Sequence, residues 1–217
     1  MISGADLWSP PELPDASREL SPRHLELLNE LETIVLTEGF RDLTVGTLAQ
    51  RLRCSRRTLY EIADSKDALV LLVIDRVLRR VGRRAQEAAS SGATHFDRLR
   101  AFLTEGVVEL HRATVSFSED VADEPAAHDL VASHFRFATS LAEHMLSQGI
   151  EAGEFVPIHP MLAAQLLDAG VARLQDPAVL RTARVTLAQA LEEFLTLFAD
   201  GIRAPAPARR ARARRGD

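Results

Sequence analysis

Apolar residues recur at helical spacing along almost the whole chain, and no segment alternates with a period of two. Ser21-Pro22 is a cap followed by proline at the first helical position, and Leu27, Leu28, Leu31, Ile34 and Val35 form a stripe up to Glu38, where Gly39 ends the helix. Thr44 opens a short helix with Val45, Leu48, Ala49 and Leu52 at helical spacing. Arg53-Cys54-Ser55 is a tight turn, and Ser55 caps a second short helix anchored by Leu59 and Ile62. A fourth helix runs from Ser65 to about Ser90 on Ile74, Val77, Leu78, Val81 and Ala85; its Arg79, Arg80, Arg83 and Arg84 read as a solvated face. After the break at Gly92-Ala93-Thr94, a fifth helix carries Phe96, Leu99, Phe102, Leu103 and Leu110. Residues 113–124 are polar and acidic and read as a short helix or a loop. Pro125 opens a long seventh helix on Leu130, Val131, His134, Ala138, Leu141 and Met145, ending near Gly153. His159-Pro160 opens an eighth through Leu174. Asp176-Pro177 opens a ninth, with Leu180, Leu187, Leu191, Phe194, Leu195 and Phe198 along it as far as Gly201. The pattern predicts an all-α fold.

Four regions follow. Residues 1–20, with Pro10, Pro11, Pro14 and the only tryptophan, Trp8, read as an irregular arm. Residues 21–66 hold the two short helices and their support, and residues 67–203 form a larger helical body. The Ala/Pro/Arg segment 204–217 has no apolar period and is expected to be disordered.

The segment from Thr44 to Lys66 carries the chemistry. Two helices joined by a three- or four-residue turn form a helix-turn-helix, whose second helix enters the DNA major groove. Arg51, Arg53, Arg56, Arg57 and Lys66 place five positive charges within this stretch, against Glu61 and Asp64, and Tyr60 is the only tyrosine of the chain. An ordinary helical hairpin is the plainer alternative, but the second helix is too short and too polar on one face to be simple core.

Net charge changes the picture only locally. The whole chain carries −5, which at first argues against a nucleic-acid partner. However, residues 204–217 hold five Arg and one Asp, and residues 21–80 hold ten basic and nine acidic side chains. The acidity lies elsewhere, and a local basic face is what DNA requires. The single cysteine, Cys54, excludes an internal disulfide framework. No apolar run approaches the ~20 residues of a membrane span, and the first residues lack a signal-peptide pattern. A cytoplasmic protein with no membrane partner is expected.

The segment from Leu27 to Ile74 resembles the DNA-binding module of the tetracycline-repressor (TetR) family. The likeness rests on Glu38-Gly39-Phe40, Thr44-Val45, Ser55, Thr58-Leu59-Tyr60 and Ser65-Lys66-Asp67-Ala68-Leu69, over about fifty contiguous residues. Lys66, the only lysine in the chain, falls at the family's lysine position. Two positions depart from the family pattern. Arg53 stands where the family usually has glycine, and Ala63 where it has a large apolar residue. Arg53 is expected to hold a left-handed conformation at a cost of about 1 kcal/mol, and Ala63 to leave a looser junction with the fourth helix.

The resemblance implies a ligand-responsive transcriptional regulator, a repressor that binds a palindromic double-stranded operator as a homodimer. Arg56, Arg57 and Thr58 are the candidates for base edges, since arginine pairs bidentately with guanine O6 and N7. Thr44, Tyr60 and Lys66 are the candidates for phosphates, which fix the register. The body of such regulators encloses a pocket for a small-molecule effector, here of unknown identity, with Phe102, His134, Phe137, Leu141, His144 and Met145 as candidate liners. Their last two long helices form the dimer interface, which places Ala163, Leu167, Val171, Leu187, Leu191, Phe194 and Phe198 there.

Other classes are weaker. Glu119, Asp120, Asp123, Glu124 and His128 form an acidic cluster that can suggest a metal site, although such clusters are usually solvated. No arrangement of Ser, His and Asp, no pair of catalytic carboxylates and no phosphate-cradling glycine loop stands out, so no catalytic residue, cofactor or metal is expected. The rival reading is a helical small-molecule-binding or scaffold protein that has lost DNA binding, for which Arg53 and Ala63 speak.

Overall fold

The computed structural model describes residues 20–205, except the side chains of residues 109 and 110. The readings of the arm, of Trp8, of Leu110 and of most of the basic tail therefore lie outside the described residues. The order is α1 (Pro22–Glu38), α2 (Val45–Arg51), α3 (Arg56–Ile62), α4 (Lys66–Ser90), α5 (His95–Val108), a 3₁₀ turn (Glu109–Arg112), α6 (Val115–Asp123), α7 (Pro125–Glu151), α8 (Pro160–Leu174), α9 (Pro177–Ala183) and α10 (Leu187–Ile202). The fold is all-α; an isolated bridge between Phe155 and Arg203 is the one β-type pairing among the described residues.

The helix starts follow from the side chains expected to make them. Ser21, Thr44, Ser55 and Ser65 each accept a hydrogen bond from the backbone N–H three residues on, and Asp176 accepts from Ala178. Each such cap is worth about 1 kcal/mol. Gly39, at φ 84°, turns the chain out of α1 in a conformation other residues rarely adopt. The acidic stretch 113–124 resolves into a helix, α6, capped by Thr114.

Two expectations are corrected. The single helix from Asp176 to Gly201 is two helices, α9 and α10. Arg184 takes a left-handed conformation at φ 58°, and Thr186 then starts α10 with a capping box that uses Gln189. Of the α4 arginines, Arg83 and Arg84 are exposed as a solvated face requires, but Arg79 and Arg80 are half-buried. Arg80 grips Glu32 of α1 with both terminal nitrogens, and Arg79 pairs with Asp75 one turn earlier. Both acids are buried, Glu32 at 4% and Asp75 at 6% exposure. Arg112 adds a bond from Nη2 to Thr33 Oγ1 and lies 3.8 Å from Glu32.

Two apolar cores organise the chain. The first joins α1, α2 and α3 to the first half of α4, to α6 and to the start of α7, with Leu28, Leu31, Leu48, Leu59, Val73, Phe117 and Leu130 among its members. The second joins the end of α4 to α5, the rest of α7, α8 and α10. The boundary expected near residue 66 thus falls inside the first core, and α4 belongs to both. α8 and α10 meet where the ring of Phe194 covers Gly170: a Cβ there would lie 2.2 Å from Phe194 Cζ. At the end of α10, Arg203 stacks 4.3 Å above the Phe96 ring, and the Ala204 N–H donates to Glu154 O. No helix among the described residues is long and apolar enough to cross a membrane.

Candidate nucleic-acid interface and ligand cavity

Arg53 sits at φ 51°, where a glycine would be unstrained, and this left-handed residue turns the chain from α2 into α3. Leu59 and Ile62 bury the inner side of α3, as does Ala63 just after it. The outer side presents Arg56, Arg57 and Tyr60 to solvent. The Arg57 side chain is 88% exposed, with Nε donating to Glu61 Oε1 at 3.2 Å. The Arg56 guanidinium lies over Gly46 of α2, so close that a Cβ there would be 2.8 Å from Nη2. Thr58 is half-buried, and its hydroxyl is 2.9 Å from that of Ser55 in the cap of α3.

Thr44 is exposed at the start of α2 and exchanges cap bonds with Thr47. Lys66 begins α4, but its Nζ points at the loop before α2, 3.2 Å from Phe40 O and 3.5 Å from Arg41 O. The expected base and phosphate candidates thus share α3 and the starts of α2 and α4, with Lys66 already engaged by the protein itself. Arg51, counted among the basic residues, forms a bidentate pair with Glu38 that ties α2 to α1 and lowers the pKa of the Glu38 carboxyl.

The loop between α1 and α2 is also held from the body, by a residue outside the expected site. Asp120 of α6 accepts from the backbone N–H of both Phe40 and Arg41, and Arg41 adds contacts to Asp120 and Asp123. Glu119 of the same helix pairs with Arg181 of α9. Three acids of the cluster considered for metal are therefore engaged by arginines. The sequence signal was weak: Arg41 and Asp120 are 79 residues apart, with no pattern linking them.

Within the body, α4, α5, α7, α8 and α10 enclose a cavity of ≈ 70 Å³. Of the expected liners, Phe102, His134, Phe137 and Leu141 line it. His144 and Met145 do not, because α7 carries them past the end of the cavity: His144 is exposed beside Gln148, and Met145 packs on the body's core. His134 is buried at 9% exposure, and its Nδ1 has no hydrogen-bond partner. Burial pushes its imidazole pKa down to about 4. Phe135 stands edge-on to it, with centroids 5.9 Å apart, and also borders a second cavity of ≈ 40 Å³ lined by Leu36, Val73, Val77 and Phe117.

The remaining liners correct the expected interface. Leu167, Val171 and Leu191, assigned to a dimer contact, face this cavity within one chain. Ala163 and Leu187 are likewise buried in the body's core. Phe194 and Phe198 are half-buried, their rings 6.2 Å apart. Each of these helices has a second apolar face, and the expected residues other than Phe194 and Phe198 belong to the one turned inward. The exposed apolar residues of α8 and α10 are Met161, Leu162, Leu166 at 62% and Leu197 at 74%.

No protein-family model matches the sequence, and no curated protein matches it either. Solved structures match it in shape. A TetR transcription regulator from Haloarcula marismortui superposes with a TM-score of 0.68 at 17% identity, over 85% of this chain and 100% of its own. The fatty acid degradation regulator FadR from Bacillus halodurans gives 0.67 at 13% identity, over 87% and 100%. FadR from Bacillus subtilis, solved in complex with stearoyl-CoA, gives 0.64 at 15% identity, over 82% and 99%. The chain shares the fold of these regulators: a helix-turn-helix unit followed by an all-helical body.

Proposed function

We propose that this chain is a TetR-family transcriptional regulator, a homodimeric repressor that leaves a palindromic operator when a small molecule fills its body. The observation that carries this reading is the placement of α4. Its first half packs on α1 beside the reading unit, and its second half supplies Val81, Gly82, Ala85 and Gln86 to the cavity. A ligand that favours a different seat for α4 would therefore shift the orientation of α3 and the spacing of two reading heads.

Arg56, Arg57 and Thr58 read bases in this proposal, with Arg57 the leading candidate because its side chain is open to solvent while the Arg56 guanidinium lies against Gly46. Thr44 and Tyr60 hold phosphates. Lys66 acts at the same edge while bracing the loop that carries Arg41. A single seven-residue recognition helix reads only a few base pairs. Two heads, with half-sites about 34–36 Å apart or a multiple of that, supply the rest. Leu162, Leu166 and Leu197, flanked by Phe194 and Phe198, form the apolar surface that a second copy would cover. The chain works by binding rather than catalysis, in the cytoplasm.

The rival reading is a helical small-molecule-binding or scaffold protein that has lost DNA binding; the exposed Arg56 and Arg57 of α3 favour the regulator over it. Arg53 accommodates the turn at a cost of about 1 kcal/mol, and Ala63 is buried. Selection of bound duplexes from a random pool tests the proposal. It should return a two-fold symmetric site whose affinity falls steeply with salt. Failure to enrich any sequence at low salt would sink the regulator reading.

A further inference from the structure

Among the described residues that line the body cavity, none is Asp, Glu, Lys or Arg. Its polar side chains are Gln86, His134 and Thr139, and Thr139 already donates to Asp168 Oδ1 at 3.4 Å. His134 is more than nine-tenths buried, and its Nδ1 is unsatisfied. A buried, unpaired polar nitrogen carries a free-energy cost that a hydrogen-bonding partner removes. A neutral imidazole offers one donor and one acceptor.

We propose that this cavity selects an uncharged, largely apolar ligand whose one hydrogen-bonding group docks on the His134 imidazole. This deepens the regulator reading above by naming the chemical class of its effector. A carboxylate or ammonium entering the cavity would lose its hydration and find no opposite charge, a penalty that apolar contacts must first overcome. His134 does not supply that charge, since burial keeps it neutral at ordinary pH. Phe102, Leu103, Val107, Leu167 and Leu191 instead offer an apolar wall. Gly106 of α5 also faces this space, and a Cβ built on it meets nothing within 4 Å. A Cβ there therefore displaces no protein atom, and a longer side chain on it would compete for the ligand's volume.

The test uses the full chain without DNA, with phenol, benzoate and benzene as probes in calorimetric titrations. The two neutral probes should bind, and the benzoate should bind at least about tenfold more weakly than the phenol. His134→Phe, which keeps an aromatic ring, should weaken the phenol about tenfold and leave benzene unchanged. Gly106→Leu should abolish binding of both neutral probes while circular dichroism stays that of a folded helical protein. The proposal is overturned if neither neutral probe binds, if the benzoate binds as tightly as the phenol, or if Gly106→Leu leaves binding intact. A chain that binds no DNA would defeat the regulator reading without touching these titrations. A DNA-binding chain with an indifferent cavity would defeat only this inference.

Discussion

Arg41 meets Asp120 twice: its backbone N–H donates to Oδ2 at 2.9 Å, and its guanidinium Nε forms an ion pair 3.3 Å from Oδ1. The pair joins the loop before α2 to α6, and so joins the reading unit to the body. Asp120→Ala would leave the half-buried N–H of Phe40 without its acceptor, at a cost of about 1–3 kcal/mol. The variant should melt earlier and bind operator more weakly, although residue 120 is remote from α3. An unchanged melting curve together with an unchanged gel shift would show that the contact carries no load.

Arg57→Ala should weaken operator binding by about 1–3 kcal/mol and relax preference at one base position. Lys66→Ala should weaken binding evenly across sequences, and a lost phosphate contact should lower the salt slope by about one unit. If the Lys66 slope holds while the protein stays folded, its role is confined to the Phe40 and Arg41 carbonyls.

Charge placed at Leu191 and at Leu166 should have different effects. Leu191 is 1% exposed and lines the cavity, so Leu191→Asp buries an unpaired carboxylate and should unfold the chain. Leu166 is open to solvent, so Leu166→Asp should leave a folded monomer without operator binding, as should Leu197→Asp. Sedimentation and circular dichroism read the two effects separately. A Leu166→Asp protein that stays dimeric would move the interface away from α8.

Those two leucines mark where the sequence was legible and where it was not. Caps, stops and stripes depend on neighbours within a turn or two, and Ser21, Thr44, Ser55, Ser65 and Gly39 all act as their types suggest. The break between α9 and α10 was harder, because Leu180, Leu187 and Leu191 stay in helical phase across it. Its signal was Thr186 followed by Gln189, a capping box inside an unbroken stripe. Long-range choices left almost no local trace. Glu32 looks like any surface acid of α1 until Arg80, 48 residues on, is folded against it. Apolar periodicity cannot say whether a face meets its own core or a second copy, and on that point the reading of α8 failed. The cavity was half legible: His134, Phe137 and Leu141 line it, whereas His144 and Met145, farther along the same helix, do not.

The Glu32–Arg80 pair should be costly to break from one side. Arg80→Met would leave a buried carboxylate with Arg112 at 3.8 Å as its nearest remaining cation, and should cost about 3–5 kcal/mol. Glu32→Gln with Arg80→Met should recover much of that loss. Denaturant titrations of the two single variants and the double variant give the coupling; additive losses would mean that the pair is not a unit.

His134 makes stability depend on pH with a definite sign. Its pKa falls from 6.5 to about 4 on folding. The unfolded chain therefore takes up this proton first as pH drops. The contribution is complete above pH 6.5 and is lost progressively towards about 4, reaching about 3 kcal/mol at most. His134→Phe should flatten that part of the profile. If wild type and variant lose stability in parallel from pH 7 to 4, the imidazole is not the group responsible.

Lys66 is the only lysine in the sequence, and its amine rests 3.2 Å from the Phe40 carbonyl at the seam between the reading unit and α4. A reagent that acylates amines therefore has one lysine target in the sequence, which peptide mapping separates from the α-amine. While the two carbonyls engage Nζ, the reaction should be slow; when the loop draws away, the side chain becomes accessible to the reagent. Peptide mass mapping over time, with and without an added small molecule, would turn this side chain into a clock for the opening of that seam. The protein carries its own reporter, with no introduced dye or cysteine.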